Sequence, residues 1–188
     1  MEHLPIIVAI TGASGAIYGV KTLKALKELN IPTILLISHA ATITIKLELK
    51  IDIREIISLA TKYYNYKDIT ASICSGSVKT RGMIISPCSS KSLAAIACGI
   101  EENLISRAAS VTLKERRKFV ALFRETPLHL AHIENMAKVT NMGGIIFPPV
   151  PAFYNNPNSI EDLVDYTIER VLDQFNIVTN KQPRWGDL

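Results

Sequence analysis

The sequence predicts an α/β fold: one open parallel sheet held between helices in three αβα layers. Three observations lead there. Apolar runs of strand length alternate with amphipathic stretches of helical length. Several of those runs are apolar throughout, as strands buried on both faces must be. The first run empties into a glycine turn that opens a helix, the start of a βα crossover unit. With 188 residues, 48% of them hydrophobic, the chain can build one domain with a full core.

The first strand is Ile6–Ile10. Thr11-Gly12-Ala13-Ser14-Gly15-Ala16 follows, then a helix over Ile17–Leu29. The glycines permit a tight turn, free N–H groups can face an anion, and the helix end adds partial positive charge. A nucleotide or flavin phosphate is the natural guest, and a plain helix cap is the bland alternative. Thr33–Ser38 is the next buried strand, with Ser38 at the carboxyl edge where such sheets hold ligands. His39–Lys50 reads as a helix, although Thr42–Ile45 would also suit a strand. Arg54–Tyr63 reads as a further helix, and 64–82 as loop with at most one short strand.

Gly82–Ser86 is a strand that Pro87 is expected to stop. Cys88-Ser89-Ser90-Lys91-Ser92 then opens a helix through Ala97, a second turn rich in hydroxyls and free N–H groups. Asn103–Leu113 is helical, and Phe119–Phe123 is a strand ending in Arg124-Glu125-Thr126-Pro127. His129–Asn141 is a helix stopped by Gly143-Gly144, and Ile145–Phe147 a strand. Ser159 caps a last helix running to about Phe175, with Glu161 and Asp162 in its first turn. Ser14, Ser38, Ser89–Ser92, Arg124 and Tyr154 are thereby expected at one crevice.

Composition narrows the function. The net charge of +4 is mild, and the basic run Lys114–Lys118 suits a solvated helix end better than nucleic acid. The three cysteines, Cys74, Cys88 and Cys98, form no CxxC pair, and the four histidines do not cluster with them, so no structural zinc is expected. Sparse, odd cysteines and no signal-peptide pattern suit a reducing, cytoplasmic setting. No apolar run reaches the roughly 18 residues of a spanning helix, so no membrane partner is expected.

Two chemistries compete at the glycine turn. A dehydrogenase reading would use Tyr63 and Lys67, a Tyr-xxx-Lys spacing. Against it, the second strand ends in Ser38-His39, without the acid that grips an adenosine ribose. A flavin mononucleotide pocket fits better, with one phosphate for the turns at 12–15 and 89–92. Arg124 could neutralise that phosphate, bond the ring system, or simply pair with Glu125.

Motifs along nearly the whole chain resemble the UbiX-type flavin prenyltransferases. They include Thr11–Ala16 with Tyr18-Gly19, Ile37-Ser38-His39-Ala40-Ala41, Pro87-Cys88-Ser89-Ser90-Lys91-Ser92-Leu93, and Asn103–Ala108. Ser75-Gly76-Ser77, Leu113–Arg117, Arg124-Glu125-Thr126-Pro127, His132–Met136, Pro151-Ala152-Phe153-Tyr154, Glu161–Asp165, Arg170 and Pro183-Arg184-Trp185-Gly186 complete them. The resemblance implies a Rossmann/flavodoxin-like flavoprotein: a single FMN-binding domain over 1–175 and a tail, 176–188, packing near the active site. It implies transfer of a dimethylallyl group from dimethylallyl phosphate to N5 and C6 of reduced FMN, without a metal. The product would serve a UbiD-type decarboxylase, and the chain would form a homo-oligomer, a dodecamer in the family's usual pattern.

By the same resemblance, Gly12, Ala13, Ser14, Ser38, Ser89, Ser90, Lys91, Ser92 and Arg124 bind the flavin. Arg107, Lys114, Tyr154 and Arg170 take the donor phosphate, and Trp185 offers its π face to an allylic cation. Glu125 is the acid/base for C6, Ser14 shuttles the N5 proton, and Glu48 lies near the N5 adduct. Without the resemblance, Arg107 and Lys114 read as solvated helix charges. Other readings are a cysteine decarboxylase of the same fold, or a carrier that delivers FMN. The loop Pro149–Tyr154 lacks the former's Pro-Ala-Ser-Ala-Asn-Thr type segment. A carrier leaves the cations unexplained.

Overall fold

A computed structural model describes residues 4–179. Six strands form one fully parallel sheet in the order β3-β2-β1-β4-β5-β6. They are β1 (Ile6–Ile10), β2 (Thr33–Ile37), β3 (Lys62–Asn65), β4 (Gly82–Cys88), β5 (Lys118–Phe123) and β6 (Ile145–Ile146). The helices are α1 (Ala16–Glu28), α2 (His39–Glu48), α3 (Ile53–Ile57), α4 (Ser90–Ala97), α5 (Leu104–Lys114), α6 (Leu130–Asn141) and α7 (Ile160–Asp173). The three-layer αβα arrangement follows from the strands' two-residue period. Ile6, Val8 and Ile10 pack with α1, α2, α3 and α7 on one face. Ile7 and Ala9 pack with α4, α5 and α6 on the other. β1, β2 and β4 are buried along their whole lengths, which is why they read as unbroken apolar runs.

The chain runs outward from β1 through β2 to β3, then returns to the other side of β1 as β4. That reversal between β1 and β4 opens a crevice at the carboxyl ends of the strands. Two expectations need correction here. The helix expected over Arg54–Tyr63 is only Ile53–Ile57, opened by an Asp52/Glu55 capping box and ended at Ser58. Lys62–Asn65 is instead the edge strand, paired with Ile34–Ile37. Its outer position leaves Lys62 and Tyr63 exposed, so it shows no buried alternation. Pro87 does not stop β4 either. The strand continues to Cys88 through an irregularity after Ile85 and pairs again at Phe123, the kind of site where a strand tolerates proline.

Candidate active site

Several helices begin beside the crevice, and the N-termini of two of them, α1 and α4, are used differently. At α4, Ser89 is the N-cap. Its Oγ accepts from Ser92 N at 3.3 Å and lies 3.0 Å from Ser92 Oγ. The amides of Ser90 and Lys91 belong to the first turn, which has no helical carbonyl to reach. They border a cleft of about 510 Å³. Gly12, Ser38, Ser89, Ser90, Lys91 and Ser92 all line it, as do Tyr66, Asn103 and Ser106, to which the sequence reading gives no site role. Lys91 Nζ pairs with Glu102 at 3.0 Å. Gly12 is required by close approach: a Cβ there would stand 2.4 Å from that of Ala40.

At α1 the donors are already engaged. Glu48, the last residue of α2, accepts from Gly15 N and Ala16 N, both at 2.9 Å to Oε2. Gly15 itself sits at φ +98, a conformation that glycine adopts freely. Burial pushes the Glu48 carboxyl up. The Ser14 hydroxyl, the Ala16 and Gly15 amides and the Arg124 charge outweigh it and hold the group below its ordinary value. At the helix end of this turn, then, the protein's own carboxylate meets the Gly15 and Ala16 amides. Arg124 also bears on Tyr18, whose hydroxyl burial pushes up while Arg124 pulls it down. Ser14, Glu48, Arg124 and Tyr18 thus form one electrostatic cluster.

Thr11 joins the two turns. Its Oγ1 donates to Pro87 O at 2.8 Å and accepts from Ser89 N at 2.8 Å. Thr11 stands at the head of the glycine motif, yet the pattern alone assigns it no role. A buried hydroxyl between two apolar strand ends is the signal that could have found it.

The remaining predicted residues lie in further clusters. Tyr154 and Tyr166 share a hydroxyl–hydroxyl bond, and Arg170 pairs with Asp173. Beside Tyr154, Asn155 Oδ1 is buried without a partner among the described residues. Arg107 holds Glu101 at 2.7 Å and Cys74 O at 3.1 Å. Lys114 pairs with Glu115 and lines a second hollow of about 370 Å³. Neither Arg107 nor Lys114 lines the cleft. Glu125 Oε1 accepts from Thr126 N at 3.1 Å. Ala13 is buried in the turn. Trp185 and residues 180–188 of the expected tail lie outside the described residues. The Tyr63/Lys67 pair is not assembled as a catalytic dyad: Tyr63 is exposed on the edge strand, and Lys67 reaches toward the Tyr66 ring. Among the described residues, no helix is long and apolar enough to cross a membrane, and no His/Cys/Asp/Glu group of three could hold a metal ion.

Comparison with known proteins decides the family. The sequence model described as Flavoprotein matches residues 1–172. The chain is 50% identical over 183 residues to a probable UbiX-like flavin prenyltransferase of Bacillus subtilis (strain 168), covering 97% of this chain and 90% of the relative. The chain belongs to the UbiX flavin prenyltransferases. The crystal structure of AnUbiX (PadA1) in complex with FMN and dimethylallyl pyrophosphate superposes with a TM-score of 0.97 at 48% identity, covering 98% of each chain. A dodecameric FMN-dependent UbiX-like decarboxylase from Escherichia coli O157:H7 matches with a TM-score of 0.95 at 45% identity, over 97% of this chain and 99% of that one. Peptidyl-cysteine decarboxylase EpiD, at 14% identity and a TM-score of 0.64, shares the fold alone. For a UbiX family member the cleft has fitting chemistry for FMN. Hydroxyls and first-turn amides suit a phosphate, and Ala95, Ile96 and Ile105 offer apolar wall.

Proposed function

We propose that this chain transfers a dimethylallyl group from dimethylallyl phosphate to N5 and C6 of reduced FMN. The observation that carries the reading is the open α4 turn on a hydroxyl-lined cleft at the β1/β4 switch point, in a UbiX family member. Bound reduced FMN would supply the nucleophilic N5 and the ring carbon C6. Ser38, Ser89, Ser90 and Ser92, with the amides at Gly12, Ser90 and Lys91, would hold its phosphate and ribityl chain.

Cleaving the donor's carbon–oxygen bond leaves an allylic cation and a phosphate. Arg170 and Tyr154 would take up that negative charge, as cation and hydroxyl donor. Arg107 and Lys114 sit seven residues apart on α5, and would add to the same phosphate from a neighbouring copy. The bond to N5 would use up the allylic cation, so the remaining prenyl double bond must gain a proton before C6 can bond to it, and C6 then gives one up. Glu125 would deliver the first and accept the second, while the N5 proton would leave with the departed phosphate. Ser14, held against the Glu48 carboxylate, would hand the N5 proton in the same sense.

The reading extends to a homo-oligomer, supported by the dodecameric relative and by exposed apolar side chains such as Leu47, Leu130 and Ile133. A UbiD-type decarboxylase would receive the product. A cytoplasmic setting agrees with three free cysteines. To test the reaction, incubate the protein anaerobically with reduced FMN and either dimethylallyl phosphate or the diphosphate, then weigh the bound flavin. A gain of one dimethylallyl unit is expected. An unchanged FMN mass with both donors overturns the proposal.

A further inference from the structure

We propose that Tyr166 is a positioning residue for the donor phosphate: its hydroxyl donates to Tyr154 and thereby aims the Tyr154 proton at the phosphate beside Arg170. This rests on the reading of Tyr154 and Arg170 just given.

The geometry comes from two elements. On α7, Tyr166, Arg170 and Asp173 stand four and three residues apart, so they share one face. Tyr154 reaches that face from the loop between β6 and α7. The Tyr154 and Tyr166 rings meet edge to face, with centroids 5.9 Å apart and planes at 89°. That contact fixes the Tyr154 ring, and the two hydroxyls bond each other. Asp173 holds the Arg170 guanidinium at Nη1, which orients the cation on the same face.

The direction of the phenol pair follows from proton counting. Each phenol has one proton to donate and an oxygen that accepts. Two bonded phenols therefore use one proton between them. An incoming dianion draws the Tyr154 proton to itself, which leaves Tyr166 as donor to the Tyr154 oxygen. Hydrogen bonds in such a chain strengthen one another, so Tyr154 becomes the better donor. Tyr166 keeps its proton for this task, because burial first, and then the Tyr154 contact, raise its hydroxyl above the ordinary phenol value while Arg170 works the other way.

Tyr166→Phe keeps the ring and removes only the hydroxyl. With reduced FMN saturating and dimethylallyl phosphate varied, KM for the donor should rise about three- to tenfold, the loss of one hydrogen bond. Because Tyr154 also takes up charge as the donor is cleaved, kcat should fall as well, by no more than about tenfold, while FMN affinity and melting temperature should hold. Tyr166→Gln restores a donor and should recover part of the loss. In the double variant Tyr154→Phe/Tyr166→Phe, donor KM should match that of Tyr154→Phe alone, because Tyr166 acts through Tyr154. An unchanged KM in Tyr166→Phe, or two effects that simply add, overturns the proposal. If Tyr154→Phe itself leaves donor KM unchanged, the site reading beneath it falls, and this proposal with it.

Discussion

The N-termini of α1 and α4 are the same device on paper: strand, turn of small residues, helix. In the folded chain they differ in who supplies the anion. Glu48 fills the α1 end from within the protein, whereas the α4 end is capped by its own serines and borders the cleft. A glycine-rich turn is thus a capacity for anions, and the rest of the fold decides whether a ligand or a side chain meets it. On the proposed reading the division leaves α4 for a phosphate, while Glu48 ties Ser14, Gly15 and Ala16 together under the field of Arg124.

The largest expected effect comes from making the two ends alike. Ser90→Glu places a carboxylate in the first turn of α4. A helix start tolerates a negative charge, so folding should survive. FMN affinity, followed by flavin fluorescence, should fall roughly 100-fold through like-charge repulsion. Undiminished binding would show that the phosphate lies elsewhere.

Next is the link between the two turns. Thr11→Val removes both Oγ1 bonds at a buried position. With Pro87 O weakened and Ser89 N unsatisfied, unfolding in urea should show a loss of about 2 kcal/mol. Thr11→Ser keeps both bonds and should restore most of it. Were valine as stable as threonine, the turns would be positioned independently, and the contrast between them would need another cause.

Much of this contrast is legible in the amino-acid sequence, and the illegible parts have physical reasons. The apolar runs of β1, β2 and β4 announce themselves because both of their faces are covered. β3 does not, since an edge strand can show Lys62 and Tyr63 to solvent, and its pairing with β2 is a tertiary fact. Ser38 and Ser89–Ser92 can be found because turn chemistry is local. Tyr66, Asn103 and Ser106 reach the cleft only through the placing of a loop and of α5. That Glu48 closes α1 from 33 residues away follows from how α2 packs, which no spacing rule encodes. Family resemblance marks Glu48 as important, and only the fold supplies its bonds.

A smaller effect should follow from emptying the α1 end. Glu48→Ala leaves Gly15 N and Ala16 N without their carboxylate and should lower stability by about 1 kcal/mol, the usual weight of an N-cap. The vacated end then resembles α4. Added sulfate should raise the melting temperature of the variant more than that of the wild type, with FMN saturating to keep the α4 site filled. Equal shifts would mean that the α1 amides cannot serve a free anion, and that the turn's shape, rather than Glu48, separates the two sites.

The finest test uses pH, and its sign is fixed by the direction of the Glu48 shift. The folded-state carboxyl titrates below the ordinary value of 4.5. The unfolded chain therefore takes up the proton first as acid is added. The stabilisation from Glu48 is fully present above that value and drains away as pH falls through the lower, folded one. Glu48→Gln cannot ionise, so the difference in unfolding free energy between wild type and this variant should be flat from pH 7 to about 5.5 and shrink below it. Other lowered carboxylates, Asp52 and Asp162 among them, titrate in the same region, and the subtraction removes their share. A difference that stays constant down to about pH 3 would mean that Glu48 closes the helix by shape and hydrogen bonding alone. Ser14 would then face a neutral group, and the proton transfer assigned to the pair would lose its base.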